Sequence, residues 1–297
     1  NVYRPLRAPM QLGAVSSVLG WSVGEFALHH IGLQLVLMLA FAASGGLGGA
    51  TGKLGLVVLL SSWAALLLHY REGHRAGQII DDAVRRAFGD PGDAPPHVRS
   101  EPPSWRRILL PIPVRDPGVE RIRGLPFGDP DQEPLHLDVY RPRGGDGPFP
   151  VLLYVHGGGW TMGSRKFQGL TTCTHVASRG WLCVNADYRL SPRATFPDHI
   201  VDVKRAIRWV REEGPRLDAD PGCLVITGGS AGGHLCSLAA LTPHAREYQP
   251  GFEYTDTRVQ GCSPLYAVFD FAGEQEHWPH PRLSRTHHRV VHKRTRA

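Results

Sequence analysis

A serine enclosed by glycines has the residue types that nucleophilic catalysis needs. Residues 223–240 read CLVITGGSAGGHLCSLAA, in which a short apolar run enters the glycine turn 228–233 and an Ala- and Leu-rich stretch follows. A strand, a tight glycine turn and a helix, with a serine at the apex, form the context of the G-x-S-x-G nucleophile turn. The pattern predicts Ser230 as a nucleophile in acyl transfer. Such turns also occur around serines that have no catalytic role, so the motif needs support from elsewhere in the chain.

A second glycine motif lies 74 positions before Ser230 and supplies that support. The apolar run 151–155 is typical of a strand buried on both faces, and it ends in the residues HGGGW at 156–160. Consecutive glycines leave backbone N–H groups free to point at one atom, as an oxyanion hole requires. The residue after the nucleophile usually donates another N–H group. We therefore predict an oxyanion hole formed by Gly157, Gly158 and Ala231.

Strand and helix patterns alternate around these two motifs. Apolar or alternating runs predict strands at residues 107–114, 119–125, 135–140, 151–155, 181–186, 223–227 and 259–269. A helical period predicts helices at residues 167–178 and 199–213, ahead of the helix that follows Ser230. The order of these elements predicts an α/β domain in which both motifs follow the ends of strands.

The motifs resemble those of the hormone-sensitive-lipase-like branch of the α/β-hydrolase superfamily, a group of carboxylesterases and lipases. The matching segments are residues 135–142 (LHLDVYRP), 156–160 (HGGGW), 187–190 (DYRL), 196–197 (FP) and 228–233 (GGSAGG). The likeness covers about residues 105–271 and departs at Gly229, where the family more often has an acid. It implies a doubly wound, mostly parallel sheet. It also implies a serine carboxylester hydrolase that forms an acyl-enzyme from small-molecule or lipid esters, without a cofactor or a metal ion.

The other two members of a catalytic triad are harder to identify. In this fold the chain order is serine, acid, histidine, so Asp187, Asp198 and Asp202 come too early and are predicted to be structural. Asp270 follows the last strand candidate and is the one candidate acid that we name. The catalytic histidine stays unknown among His277, His280, His287, His288 and His292.

Only 27 residues follow Asp270, and they contain no convincing strand. We therefore expect a hydrolase domain at residues 105–272 that lacks its last strands. The alternative function is a truncated hydrolase-fold protein without turnover, which retains only binding or has no function. A third reading is an integral membrane protein whose soluble domain is passive.

The first seventy residues have a different composition from the rest of the chain. Residues 31–52 carry no formal charge, and after Lys53 a second uncharged run covers residues 54–68. A membrane helix needs about 20 apolar residues, so the two runs predict a transmembrane helical hairpin within residues 1–70. The polar, proline-containing residues 71–104 are expected to form a linker, with a short helix at residues 81–88. A pair of buried helices packed on the hydrolase domain is the alternative. The arginines that flank both ends of the hairpin place the hydrolase domain on the cytoplasmic side.

The formal net charge of +6 has a local origin. Residues 277–297 contain six basic residues and no acid: Arg282, Arg285, Arg289, Lys293, Arg294 and Arg296. We expect residues 273–297 to form a basic, disordered tail. The rest of the chain is close to neutral, which excludes a nucleic-acid-binding surface of the usual basic kind. The expected partners are therefore an ester substrate and a membrane.

Overall fold

A computed structural model of the chain describes residues 10–89, 109–110, 115–129, 134–269 and 291. The chain divides into two compact units, Asn1–Leu110 and Pro111–Ala297. We describe each unit separately.

The first unit is helical. Its helices are α1 (Met10–Glu25), α2 (Ala27–Ala43) and α3 (Ala50–Phe88). A turn at residues 44–49 joins α2 to α3, and Trp63 Nε1 donates a hydrogen bond of 2.8 Å to Gln34 Oε1 across this pair. Many large apolar side chains of α2 and α3 are exposed, including Val36, Leu39 and Val58. The described residues contain one helix that is long and apolar enough to cross a membrane, or two if the bent pair α1–α2 counts as one span.

The prediction of a linker is wrong for residues 71–80, and the short helix predicted at residues 81–88 is the end of a much longer one. Helix α3 is 39 residues long and continues without a break to Phe88. A helix that has already formed extends at little cost through residues of good helix propensity, and the chain has no proline between Lys53 and Phe88. The polar composition of residues 71–88 reflects an exposed helix and not an irregular segment. Residues 90–104 lie outside the described residues.

The described residues of the second unit form a six-stranded mixed sheet with the strand order β1-β2-β4-β3-β5-β6. The strands are β1 (Val119–Phe127), β2 (Leu135–Pro142), β3 (Phe149–Val155), β4 (Leu182–Ala186), β5 (Ala219–Gly229) and β6 (Gly261–Leu265). The first two strands run antiparallel to their neighbours, and the last four are parallel to one another. The predicted α/β architecture is confirmed.

Three helices follow strands of this sheet. They are α4 (Leu170–Ala177), α5 (Asp198–Glu212) and α6 (Ala231–Leu241). The core lies where β3, β4 and β5 meet these helices, and it includes the fully buried Leu153, Val184 and Ile226. Helix α5 carries an apolar stripe that places Ile200, Val203 and Ile207 in the same core. The central strands are apolar because helices cover both of their faces.

The end of the chain departs from prediction at one described position. Val291 belongs to the segment that we expected to be disordered, yet it is buried against the core and accepts a hydrogen bond of 3.1 Å from the N–H group of Phe196. Its apolar side chain explains the packing, because the basic composition of the segment hides two consecutive valines at positions 290 and 291. The remaining residues of 273–297 lie outside the described residues, and so does any strand beyond β6.

Candidate active site

Ser230 sits at the sharp turn between β5 and α6. Its backbone angles are φ 53° and ψ −116°, a conformation that is strained for any residue with a side chain. Its N–H group donates to Leu265 O on β6 at 2.9 Å, and its carbonyl accepts from the N–H group of His234 at 3.0 Å. These bonds hold the turn from both sides. The side chain of Ser230 is half-buried at the N-terminus of α6, where a developing negative charge is favoured.

The segment at residues 155–157 lies directly against this turn. A Cβ atom on Gly232 would come within 2.1 Å of Val155 O and 2.5 Å of His156 O. A Cβ atom on Gly157 would come within 2.7 Å of Gly229 O. Side chains at either position would force the two backbones apart. The glycines therefore permit the contact that brings the HGGG residues next to Ser230.

The N–H group of Gly157 is already engaged. It donates a hydrogen bond of 2.9 Å to Gln168 Oε1, a partner that lies 11 residues later in the chain. Our prediction of Gly157 as an oxyanion donor therefore disagrees with this arrangement, because one N–H group would have to leave Gln168 to serve an oxyanion. The backbone N–H groups of Gly158, Gly159 and Ala231 donate to no residue in the described part of the chain.

His156 fixes the conformation of the glycine loop. Its ring is fully buried and stacks on Tyr188 with 4.3 Å between ring centroids, and Nδ1–H donates to Gly157 O at 2.9 Å. The Tyr188 hydroxyl donates to His156 O at 3.1 Å. Burial lowers the pKa of His156, although the bond to Gly157 and the charge of Asp187 oppose this shift. A neutral ring with a proton on Nδ1 suits a residue that holds a loop in place.

The early acids all bind arginines. Asp187 accepts the Arg165 backbone N–H at 2.8 Å and pairs with the Arg165 guanidinium, which also reaches Asp138 at 3.0 Å. Asp202 accepts two hydrogen bonds from the Arg189 guanidinium, at 2.7 and 2.9 Å. Asp198 lies 3.5 Å from Arg189 Nη1 and accepts the Thr195 N–H, just before α5, at 2.9 Å. These contacts agree with the structural roles that we predicted for the three acids.

Asp138 on β2 is part of the same network. Burial opposes its ionisation, but hydrogen bonds from Arg121, the Gly124 N–H and Arg165 outweigh burial and lower its pKa. In Asp202 the balance is reversed, because burial raises its pKa despite the bonds from Arg189. Both carboxylates hold the sheet and its loops together. Asp138 belongs to the LHLDVYRP motif, which the sequence analysis identified without assigning a role to this acid.

The candidate acid Asp270 lies outside the described residues, as do all five candidate histidines of the last segment. Within the described residues, no group of three or more His, Cys, Asp or Glu side chains could hold a metal ion. The structure thus brings together the predicted nucleophile and the predicted glycine loop.

Two residues beside Ser230 were missed in the sequence. Gln168 captures the Gly157 N–H group, and nothing in its spacing from the glycine motif marks it. Tyr266, just after β6, has an unusual φ of 40°, and its hydroxyl lies 2.4 Å from the place where a Cβ atom of residue 229 would sit. In the sequence, the absence of an acid at position 229 is the one indication of such a neighbour, because a glycine there leaves space that the side chain of another residue can occupy.

Comparison with known proteins identifies relatives over most of the chain. A sequence profile of the family described as BD-FAE matches residues 137–295. The protein described as "Probable carboxylic ester hydrolase LipM", from Mycobacterium tuberculosis, is 37% identical over an alignment of 312 residues. The alignment covers 100% of this chain and 70% of LipM. Esterase LipQ of the same organism is 38% identical over 272 residues, which cover 88% of this chain and 59% of LipQ.

Among solved structures, a butyrate-bound thermophilic esterase from the Planctomycetes species Thermogutta terrifontis is similar, with 27% identity and a TM-score of 0.48. The match covers 59% of this chain and 64% of that chain. The alignments also extend beyond residues 105–271, where the recognised motifs lie, because the LipM match includes the N-terminal helices. The profile covers more than half of the chain, and the sheet and the serine turn have the form that the resemblance implied. The chain belongs to the BD-FAE family, within the hormone-sensitive-lipase-like carboxylesterases of the α/β-hydrolase superfamily.

Proposed function

We propose that this chain hydrolyses carboxylic esters with Ser230 as its nucleophile. The observation that carries the proposal is the direct contact between the serine turn and residues 155–157. It supports the proposal together with the strained, half-buried conformation of Ser230 and the Gly158, Gly159 and Ala231 N–H groups that have no described partner. In the proposed reaction the Ser230 hydroxyl attacks the ester carbonyl and the alcohol leaves, so that an acyl-enzyme forms. Water then attacks the acyl-enzyme, releases the acid and restores the hydroxyl.

We assign the oxyanion hole to the N–H groups of Gly158, Gly159 and Ala231. Gly157, our original candidate, has the supporting role of fixing the loop through Gln168. Preorganised N–H groups stabilise a tetrahedral intermediate because they need no rearrangement when the negative charge develops. The base and its acid are still proposals from the sequence, with Asp270 as the candidate acid.

A fluorophosphonate probe tests the nucleophile directly. The full chain in neutral detergent should be labelled at Ser230, and Ser230→Ala should abolish labelling and lower ester hydrolysis by at least about 10⁴-fold. Ser178→Ala is the matched control. The exposed Ser178 hydroxyl donates to His175 O, outside the serine turn, so its loss should change neither probe labelling nor ester hydrolysis. Folded protein that remains unlabelled would instead support the alternative of a hydrolase fold without turnover.

We also propose that α2 and α3 anchor the chain in a membrane, with the hydrolase domain on the cytoplasmic side. The exposed apolar surface of both helices supports the anchor, and the arginines at the polar end of α3 support the orientation. In intact cells, a membrane-impermeant thiol reagent should modify Leu47→Cys in the turn and leave Asp81→Cys unmodified, in a background with Cys262→Ser. The opposite pattern would reverse the orientation, and equal labelling of both would argue against a span.

A further inference from the structure

A cleft of about 540 Å³ lies between the β1–β2 hairpin and α4, apart from the serine site. We call it the arginine cleft. Among the described residues, its polar lining consists of Arg115, Asp116, Arg121, Arg123, Tyr140, Arg143 and Thr174. Four guanidinium groups thus face a cavity whose lining includes one carboxylate. Neither Ser230 nor any residue of the glycine loop lines it.

Of the four arginines, Arg115 and Arg123 form no ion pair with a carboxylate among the described residues, and Arg143 shares Glu120 with Arg141. Arg115, Arg123 and Arg143 are exposed. Glu120 is bound by Arg141 at 2.8 Å, so its charge is already compensated. Asp116 uses Oδ1 to accept the Gly118 N–H at 2.9 Å within its own turn. The lining therefore keeps a positive excess.

The fourth arginine is held rigidly. Arg121 Nη2 binds the buried Asp138 at 2.7 Å, and its guanidinium lies 5.0 Å from the centre of the Tyr140 ring. An arginine fixed by a carboxylate and stacked on an aromatic ring loses little freedom when it binds a ligand. The cleft thus combines one fixed guanidinium with three exposed ones around a defined cavity.

We propose that the arginine cleft binds a phosphate monoester group, carried by a soluble metabolite or by the headgroup of an anionic lipid. Guanidinium groups bind phosphate through paired N–H donors, and several of them together match the two negative charges of a monoester. The cavity has room for the phosphate and a small group attached to it, such as glycerol. This proposal does not depend on the esterase reaction.

The test uses the full chain in a neutral detergent, with two probes. Glycerol 3-phosphate is titrated by calorimetry, and a fluorescent phosphatidic acid is titrated in detergent micelles against the matching phosphatidylcholine. The cleft variant changes Arg115, Arg123 and Arg143 to Gln and leaves Arg121 in place for Asp138. The control variant changes Arg193, Arg216 and Arg258 to Gln, which removes the same charge elsewhere on this unit.

We expect saturable binding of at least one phosphate probe, weakened on the order of 100-fold in the cleft variant and within about 3-fold of wild type in the control. Binding of glycerol 3-phosphate would identify a soluble ligand as sufficient, and binding of phosphatidic acid alone would identify a lipid headgroup. Arg123→Gln alone should weaken binding about 5- to 10-fold, which keeps the test valid if the triple variant misfolds. Failure of both probes to saturate, or an equal loss in both triple variants, would overturn the proposal.

Discussion

The two units of this chain use similar apolar residues in opposite ways. In the α/β unit, Leu153, Val184 and Ile226 are fully buried between the sheet and its helices. In the helical unit, residues of the same kind, such as Val36, Leu39 and Val58, are more than half exposed. Water would penalise that exposure, whereas hydrocarbon would not. The α/β unit is therefore stabilised by its own core, whereas the described residues of the helical unit leave much of their apolar surface uncovered.

The largest expected effect comes from adding one methyl group in the α/β unit. Gly232→Ala places a Cβ atom against two backbone oxygens that cannot move away without opening the serine turn. We expect a loss of about 4 kcal/mol or more in the free energy of unfolding, together with a loss of hydrolysis. Thermal or denaturant unfolding and ester turnover measure both effects.

The matched control for this change lies in the helical unit. Gly77 in α3 has open space around it, so Gly77→Ala should stabilise the helix by about 0.5–1 kcal/mol. A similar loss at both positions would mean that close backbone contact is not what distinguishes the serine turn.

The second prediction concerns the environment of the helical unit. Val58→Arg places a charge in the middle of the apolar part of α3 and should disfavour membrane insertion by about 3 kcal/mol, roughly 100-fold. The measurement is the distribution of the chain between membrane and soluble fractions. Val84→Arg, in the polar part of the same helix, should leave that distribution unchanged. If Val58→Arg is also without effect, the helices are not a membrane anchor.

The third prediction breaks a buried ion pair in the α/β unit. Asp138→Asn leaves Arg121 and Arg165 without their shared carboxylate and should cost about 2–3 kcal/mol at neutral pH. Because folding lowers the pKa of Asp138, its contribution is complete above the ordinary aspartate pKa and is lost as the pH falls through the lower folded value. The difference between wild type and variant should therefore shrink in acid. Asp146→Asn, at an exposed position, should show no such dependence.

The smallest effect is expected at Lys204. This buried lysine binds Gln249 and Thr257, at 3.1 and 3.3 Å, and also the carbonyl of Thr242, and burial lowers its pKa to about 8. Between pH 8 and the ordinary lysine value, the unfolded chain binds the extra proton, so the contribution of Lys204 to stability rises with pH. Relative to Lys204→Met, the wild type should gain about 1–2 kcal/mol between pH 7 and 10. Lys166→Met, at an exposed lysine, should show no gain.

The sequence predicted the parts of the site that depend on local chain geometry. A glycine turn around Ser230 and a glycine run after a buried strand are encoded by neighbouring residues, and both have the expected local form. The contact between Gly157 and Gln168 is different, because it depends on where the loop after the motif returns to the sheet. No pattern in residues 156–168 encodes that return, so the hydrogen bond from the Gly157 N–H group to Gln168 could not be predicted.

Average composition also led to wrong structural predictions for two segments, because each contains residues that differ from the average. Residues 71–80 are polar enough for a linker, yet their helix propensity continues α3. The basic segment after residue 272 contains two valines, and Val291 packs in the core. In both cases the average over a window concealed the residues that determine the structure.

The position before the nucleophile illustrates how two sites can become dependent on each other. The Tyr266 hydroxyl lies beside Gly229, and most of this side chain is exposed, so an acid introduced at 229 would displace the phenol from its present position. The two positions should therefore be coupled: Gly229→Asp should displace the phenol when Tyr266 is present and leave the turn unchanged together with Tyr266→Gly. Across relatives, we expect an acid before the serine to co-vary with a small residue at the position of Tyr266.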